Sequence, residues 1–328
     1  MAFDIDRYTK QSEGVEWGDL DLDVFDEQPL DEPTLRTLRY MCDVEYHTVC
    51  YLRDLLTTPS HKEPEVGAFM TMWNREEFWH GEALAAVLAK HDITVDYDVL
   101  KARRIKLGWK DRLDPIKQSL LGNVVGHDFV AVHMTYGAAN EYSANAAYHR
   151  LAKMVTHPVL TPLLKRIAIQ ESKHIAFYAT QARKRLEASK KARVITRFVM
   201  SKVWQPVGSG INTDSEVTHV MTHLFQGPDG RKLIRDLDTK ISALPGLEGL
   251  RIVERAMDAP GGDAYRGSAA IPAPLGLIAA RRMLGLLGRG RHVGDGVAAR
   301  QGDRRAGRRL AAARRLATRT AEARPRSH

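Results

Sequence analysis

Cysteine is nearly absent from this sequence. Cys42 and Cys50 are the only two in 328 residues, too few for a disulfide framework, so a reducing cytoplasm is the expected compartment. Long apolar runs are absent as well: no uninterrupted stretch reaches the ~18 residues that a spanning helix needs. The opening Met1-Ala2-Phe3-Asp4-Ile5-Asp6 lacks the basic-then-apolar order of an export signal. Period-two alternation is scarce, which disfavours a sheet protein. Even basic charge is missing from most of the chain, despite a net charge of +9. Residues 281–328 hold fourteen arginines, no lysine and three acids, a balance of +11, so residues 1–280 sum to −2. Basicity confined to one end, without a recognised nucleic-acid-binding signature, excludes specific nucleic-acid recognition as the expected role. Contact between that tail and an acidic surface stays open.

What the chain does contain is helical spacing. With 44% hydrophobic residues it can bury a sizeable core. Apolar residues recur at helical intervals over about 32–56, 65–91, 123–156 and 158–188, and again over about 192–204. Pro59, Pro64, Pro158 and Pro206 fall at the breaks, where a residue without an N–H is tolerated. A shorter basic piece covers about 98–121, and 229–258 has room for one or two short helices. The expectation is an all-α protein, a ferritin-like four-helix bundle with additional helices over 31–226. An irregular acidic segment, 1–30, precedes it. A short helical extension, 227–267, and an Arg-rich mobile tail, 268–328, follow.

The chemistry sits in Glu-x-x-His. Positions i and i+3 share a helix face, so one such pair can grip a single metal ion. With seventeen glutamates and 13 histidines, an isolated pair is expected by chance. Three occur, and two of them repeat a larger unit. Glu45 precedes Glu77/His80, and Glu141 precedes Glu171/His174, by nearly equal intervals, each single glutamate standing on the preceding predicted helix. At ~1.5 Å rise per residue, an interval of about thirty residues returns a helical hairpin to the level at which it started. Two such hairpins would bring four carboxylates and two imidazoles to one height in the bundle. This is the ligand recipe of di-iron bundles, and its oxygen-rich donors with two imidazoles suit two iron ions, or manganese, better than a soft metal. Glu216/His219 stands outside the doubled unit and is expected to be coincidental.

These residues resemble the soluble acyl-[acyl-carrier-protein] desaturases, within the ferritin-like di-iron superfamily. The family motif Glu-Glu-Asn-Arg-His-Gly reads Glu76-Glu77-Phe78-Trp79-His80-Gly81 here, and Asp-Glu-x-Arg-His reads Gln170-Glu171-Ser172-Lys173-His174. The likeness covers roughly residues 30–200 and stops before the tail. All six ligand positions are kept. Phe78 and Trp79 replace Asn and Arg, Ala144 stands where plant members carry threonine, and Gln170 replaces an acid, removing an expected partner for a ligating imidazole.

The resemblance implies an O2-dependent enzyme that introduces a double bond into a carrier-bound fatty acyl chain. It would take electrons from an external donor such as ferredoxin and work as a homodimer. Residues one turn from the ligands, Cys42, Trp73, Leu84, Gly137, Ala138 and Tyr178, are either channel lining or core. An acidic carrier protein could meet Lys101, Arg103, Arg104, Lys106, Lys110 and Arg112, or a second basic run, Lys184, Arg185, Lys190, Lys191 and Arg193. Three other functions compete. One is a di-iron oxygenase that hydroxylates or N-oxidises a small molecule or carrier-bound substrate. Another is an iron-handling ferritin relative. The third is a helical bundle whose site has decayed, which the intact six-residue set argues against; a radical tyrosine of the ribonucleotide-reductase kind is also disfavoured, because Leu84 occupies its position.

Overall fold

The computed structural model describes residues 3–95, 122–209 and 211–258, with positions 99, 102 and 119 standing alone between the first two spans. The basic piece at 98–121, with its candidate docking residues, and the Arg-rich tail lie outside the described residues. The chain divides into a compact unit, Met1–Ile271, and a second, Pro272–His328. Within the first unit the described residues contain ten α-helices and no strand. No helix among them is long and apolar enough to cross a membrane.

Two long hairpins form the bundle. In the first, α3 (Glu32–Leu55) starts where the Asp31 carboxylate accepts the Thr34 N–H at 3.0 Å, with Pro33 in the first turn. It ends at a 3-10 turn over Pro59–Lys62, and α4 (Pro64–Ala89) follows with proline at its first position. Gly81 lets these helices close up near the predicted ligands. A Cβ there would stand 3.0 Å from the Tyr46 ring, and the Cys42 thiol reaches the Gly81 carbonyl at 3.4 Å.

The second hairpin pairs α5 (Phe129–Met154) with α6 (Leu160–Ala188). The tight turn between them is built on His157, whose Nδ1 accepts the N–H groups of Val159 and Leu160, each at 3.1 Å. That satisfies two donors a helix start leaves open. Phe25 stacks on the same ring at 4.4 Å, and Nε2 lies 3.0 Å from the Gln28 carbonyl.

Smaller helices dress the bundle. Helix α7 (Lys190–Lys202) is capped by Ser189, whose Oγ accepts the Ala192 N–H at 3.0 Å. Helix α8 (Asp214–Phe225) packs on α3, α9 (Gly227–Ser242) on α5, and α10 (Ile252–Asp258) on α9. One difference from the sequence expectation concerns the N-terminal segment. It contains α1 (Ile5–Gln11) and a single turn, α2 (Val24–Glu27), and α1 lies against α4. Tyr8 and Phe25 tie it down, both buried in the common apolar core. Helices this short do not announce themselves by periodicity.

Candidate metal centre

Each hairpin delivers three of the six predicted residues. Glu45 comes from α3, Glu77 and His80 from α4, Glu141 from α5, and Glu171 and His174 from α6. None is more than 6% exposed. Their donor atoms form two overlapping groups, each lying within 4.8 Å: Glu45, Glu77, His80 and Glu171 in one, and Glu77, Glu141, Glu171 and His174 in the other. Glu77 and Glu171 belong to both and come from opposite hairpins. They are therefore shared by the two groups, whereas Glu45 and His80 belong to one alone and Glu141 and His174 to the other.

The imidazoles face inward through Nδ1. His80 Nδ1 lies 3.3 Å from Glu171 and 3.7 Å from Glu45. His174 Nδ1 lies 3.1 Å from Glu77, 3.4 Å from Glu171 and 3.6 Å from Glu141. These are ion-pair distances without hydrogen-bond geometry. Glu45 Oε2, Glu77 Oε1, both Glu171 oxygens and the two Nδ1 atoms are buried with no hydrogen-bond partner. Orphaned polar atoms are rare in protein interiors and call for a cause. Six converging on one point, from three carboxylates and two imidazoles with Glu141 beside them, fit a site for cations.

Electrostatics agree. Burial, reinforced by the Glu45 and Glu171 charges, pushes Glu77 well above the usual carboxylate range. Burial and then Glu171 raise Glu141 to about 8. Burial alone would lower His80, but the Glu171 and Glu45 carboxylates outweigh it and raise the imidazole to about 10. His174 is raised in the same way, against burial, by Glu141 and Glu171. Burial opposes the charge on Glu171 too, yet the two imidazoles beside it hold its carboxyl below the ordinary value. Four acids this close either keep protons or share positive charge, which a bound cation would supply.

A second layer holds the ligands in place. Outward-facing Nε2 of His80 lies 2.8 Å from Gln170 Oε1, and Nε2 of His174 lies 2.7 Å from Glu76 Oε2. With an acceptor behind each ring, each Nε2 carries a proton, and Nδ1 is the nitrogen left for the centre, where a bound cation would displace any proton on it. Gln170 therefore does not remove a partner from His80, as its sequence position suggested; it supplies a neutral one. Trp73 donates its indole N–H to Glu141 at 3.1 Å, and the Tyr148 hydroxyl donates to Glu45. Tyr148 and the partnership of Glu76 escaped the sequence reading. Tyr148 lies two helical turns beyond Glu141, a spacing that was available. Glu76 stood next to a ligand but faces the other imidazole, which no local pattern reveals.

The remaining candidates fall elsewhere. Cys42, Trp73, Leu84, Ala138 and Tyr178 are buried in the single apolar core, and Gly137 seats the Tyr178 ring. Glu216 pairs with Arg36 at 2.9 Å, and His219 lies 3.2 Å from the Pro33 carbonyl; neither belongs to a donor group. In the second basic run, Arg185 pairs with Glu63, Lys191 with Asp128 at 3.2 Å, and Arg193 with the Leu186 carbonyl at 2.7 Å. Among known proteins, the chain matches no family model, no curated protein and no solved structure.

Proposed function

We propose that this chain is a di-iron oxidase that uses O2 to introduce a double bond into a carrier-bound fatty acyl chain. The observation that carries the proposal is the pair of overlapping, buried donor sets joined by Glu77 and Glu171. Glu45 and His80 would complete one position, Glu141 and His174 the other. Four carboxylates and two imidazoles favour iron, or manganese, over thiophilic metals. Two iron ions held there supply O2 activation and the oxidising power to break an unactivated C–H bond.

The protein's own part is placement and exclusion. Trp73 and Tyr148 hold the terminal carboxylates, and Gln170 and Glu76 hold the imidazoles. Phe69, 6.2 Å from the His174 ring, and Tyr178, which packs on Phe69 and Trp73, are buried and would keep water from the centre. In the overall reaction the acyl chain gives up two hydrogens, an external donor such as ferredoxin gives two electrons, solvent gives two protons, and O2 leaves as two waters. The acyl substrate, an acidic carrier protein and a homodimeric state rest on the motif resemblance. A second reading, hydroxylation or N-oxidation, draws on Phe78 and Trp79, which put exposed aromatic rings where the resembling family has Asn and Arg.

The test is iron content and single-turnover product. Protein reconstituted anaerobically with Fe(II) should hold near two irons per chain, and a Glu171→Ala/His174→Ala variant should lose them. On admitting O2 with an acyl-carrier substrate and reductant, mass spectrometry should find an acyl chain lighter by two hydrogens. Gain of one oxygen atom would select the second reading. No stoichiometric iron would overturn both.

A further inference from the structure

The two imidazoles of the centre are not backed alike, and the difference traces to one segment of chain. Glu76 immediately precedes Glu77 on α4 but serves His174 of the other hairpin. Gln170 immediately precedes Glu171 on α6 but serves His80. The arrangement is a swapped pair with one substitution: a carboxylate on one side, an amide on the other. Both backing groups are held by the N-terminal segment. The Tyr8 hydroxyl donates to Glu76 Oε2 and the Ser12 hydroxyl to Glu76 Oε1, each at 2.7 Å. The Gln170 amide nitrogen donates to the Glu13 carbonyl at 3.2 Å.

We propose that the stretch from Tyr8 to Glu13 is a positioning clamp that makes the two metal positions unequal. It fixes an anionic acceptor behind His174 and a neutral one behind His80, so the His174 position fills first and holds its ion more tightly. The proposal rests on the reading that the cluster holds two metal ions.

Charge supplies the reason. Four ligating carboxylates balance two divalent cations, and Glu76 adds a fifth negative charge on one side only. An ionised acceptor makes the stronger hydrogen bond to an imidazole N–H, and a stronger acceptor makes the ligating nitrogen a better donor to metal. Glu76 is fully buried, with hydrogen bonds to three different side chains that orient both its oxygens. The clamp itself is fixed by packing. The Tyr8 ring sits 5.5 Å from both Phe3 and Phe69, and Phe69 stacks on Phe177 at 3.8 Å. Arg75 donates to the Ser12 carbonyl at 3.0 Å. Trp79 lies so close over Gly14 that a Cβ there would meet its ring at 2.5 Å. The aromatic residue at position 79 thus fixes where the strap runs.

Anaerobic titration of the full chain with Co(II), followed by the visible bands of ligated cobalt, reads each position without turnover. Wild type should bind two equivalents in two steps separated by about tenfold or more. Glu76→Gln should weaken the tighter step about 10–100-fold, and Gln170→Glu should strengthen the weaker step about tenfold and bring the two together. Tyr8→Phe keeps the ring packing and removes one donor to Glu76; it should weaken the tighter step by a smaller factor. Circular dichroism checks that each variant is folded, and Gln170→Glu, which adds rather than removes a charge, covers a failure of Glu76→Gln to fold. Two cobalt ions bound by wild type, with both steps unchanged within twofold in Glu76→Gln and Gln170→Glu, would overturn the clamp and leave the metal reading standing. No cobalt bound by wild type would overturn both.

Discussion

Trp73 reaches across from one hairpin to the other and gives its indole N–H to Glu141, 3.1 Å away. The bond is buried and joins a side chain of α4 to a carboxylate of α5 that belongs to one donor group. Trp73→Phe keeps most of the ring volume and removes the donor. The expected result is a folded protein whose affinity at the His174 position falls about tenfold, the scale on which supporting residues act on metal ligands. Equilibrium metal competition with a chromophoric chelator measures it.

Shared and terminal ligands should fail differently. Glu77 and Glu171 each serve both donor groups, whereas Glu45 and Glu141 each serve one. Glu77→Ala and Glu171→Ala should each reduce bound metal to well under one ion per chain. Glu45→Ala and Glu141→Ala should retain about one. Elemental analysis after gel filtration separates the outcomes. Equal losses in all four would show that the bridging assignment is wrong.

The pH dependence of stability follows from the same cluster, with the metal removed by chelation. Glu141 is raised from 4.5 to about 8 and Glu77 is raised in the same direction. Their contribution is full below the ordinary carboxylate value and is lost as pH rises through the folded one. His80, raised from 6.5 to about 10, loses its contribution between those values. Glu171 is lowered, so its contribution is present above 4.5 and disappears as pH falls through its depressed value. The chelated protein should therefore melt highest near pH 4.5, where the Glu171 contribution is complete and those of Glu77 and Glu141 begin to decline, and fall, on the order of several degrees, toward pH 9. Added Fe(II) or Co(II) should raise the melting temperature most at the alkaline end, because the ion replaces protons on the ligands.

Gly137 offers a prediction about packing alone. A Cβ on this residue would come within 2.3 Å of the Tyr178 ring, and Tyr178 is wedged against Phe69 at 5.0 Å and Trp73 at 6.2 Å. Gly137→Ala should cost about 1–3 kcal/mol, the usual range for overfilling a core, readable in urea unfolding. Gly67, where a Cβ would have ordinary room at 3.7 Å, should accept alanine with no such loss.

The bundle was legible because punctuation and period agreed. Pro33, Pro64 and the Thr57-Thr58-Pro59 break lie where helices start and stop, and apolar spacing filled the intervals. The convergence of the six residues was legible because one unit occurs twice, and that repetition separated Glu77/His80 and Glu171/His174 from Glu216/His219, which the fold uses to pin α8 to α3. The N-terminal segment was not legible. Tyr8 meets Glu76 from far away in the sequence, and nothing in so short a helix says which distant acid its hydroxyl will find. The service of Gln170 to His80 was hidden for another reason: exchanging acid for amide looks like a loss until the side chain is seen to present its oxygen. Helix α5 begins at Phe129 behind a 3-10 turn at Gly126–Asp128. Its Gly126 takes φ +73, a local conformation that apolar spacing does not encode.

The sharing of donors between hairpins also bears on how the two halves of the bundle hold together. The hairpin of α3 and α4 carries three donors, Glu45, Glu77 and His80. Neither donor set can be completed until α6 docks and brings Glu171, and the second set needs Glu77 in return. Each hairpin thus lends one glutamate to the donor set centred on the other. A cation bound there would therefore clasp one hairpin to the other, and chelation should loosen the packing between them.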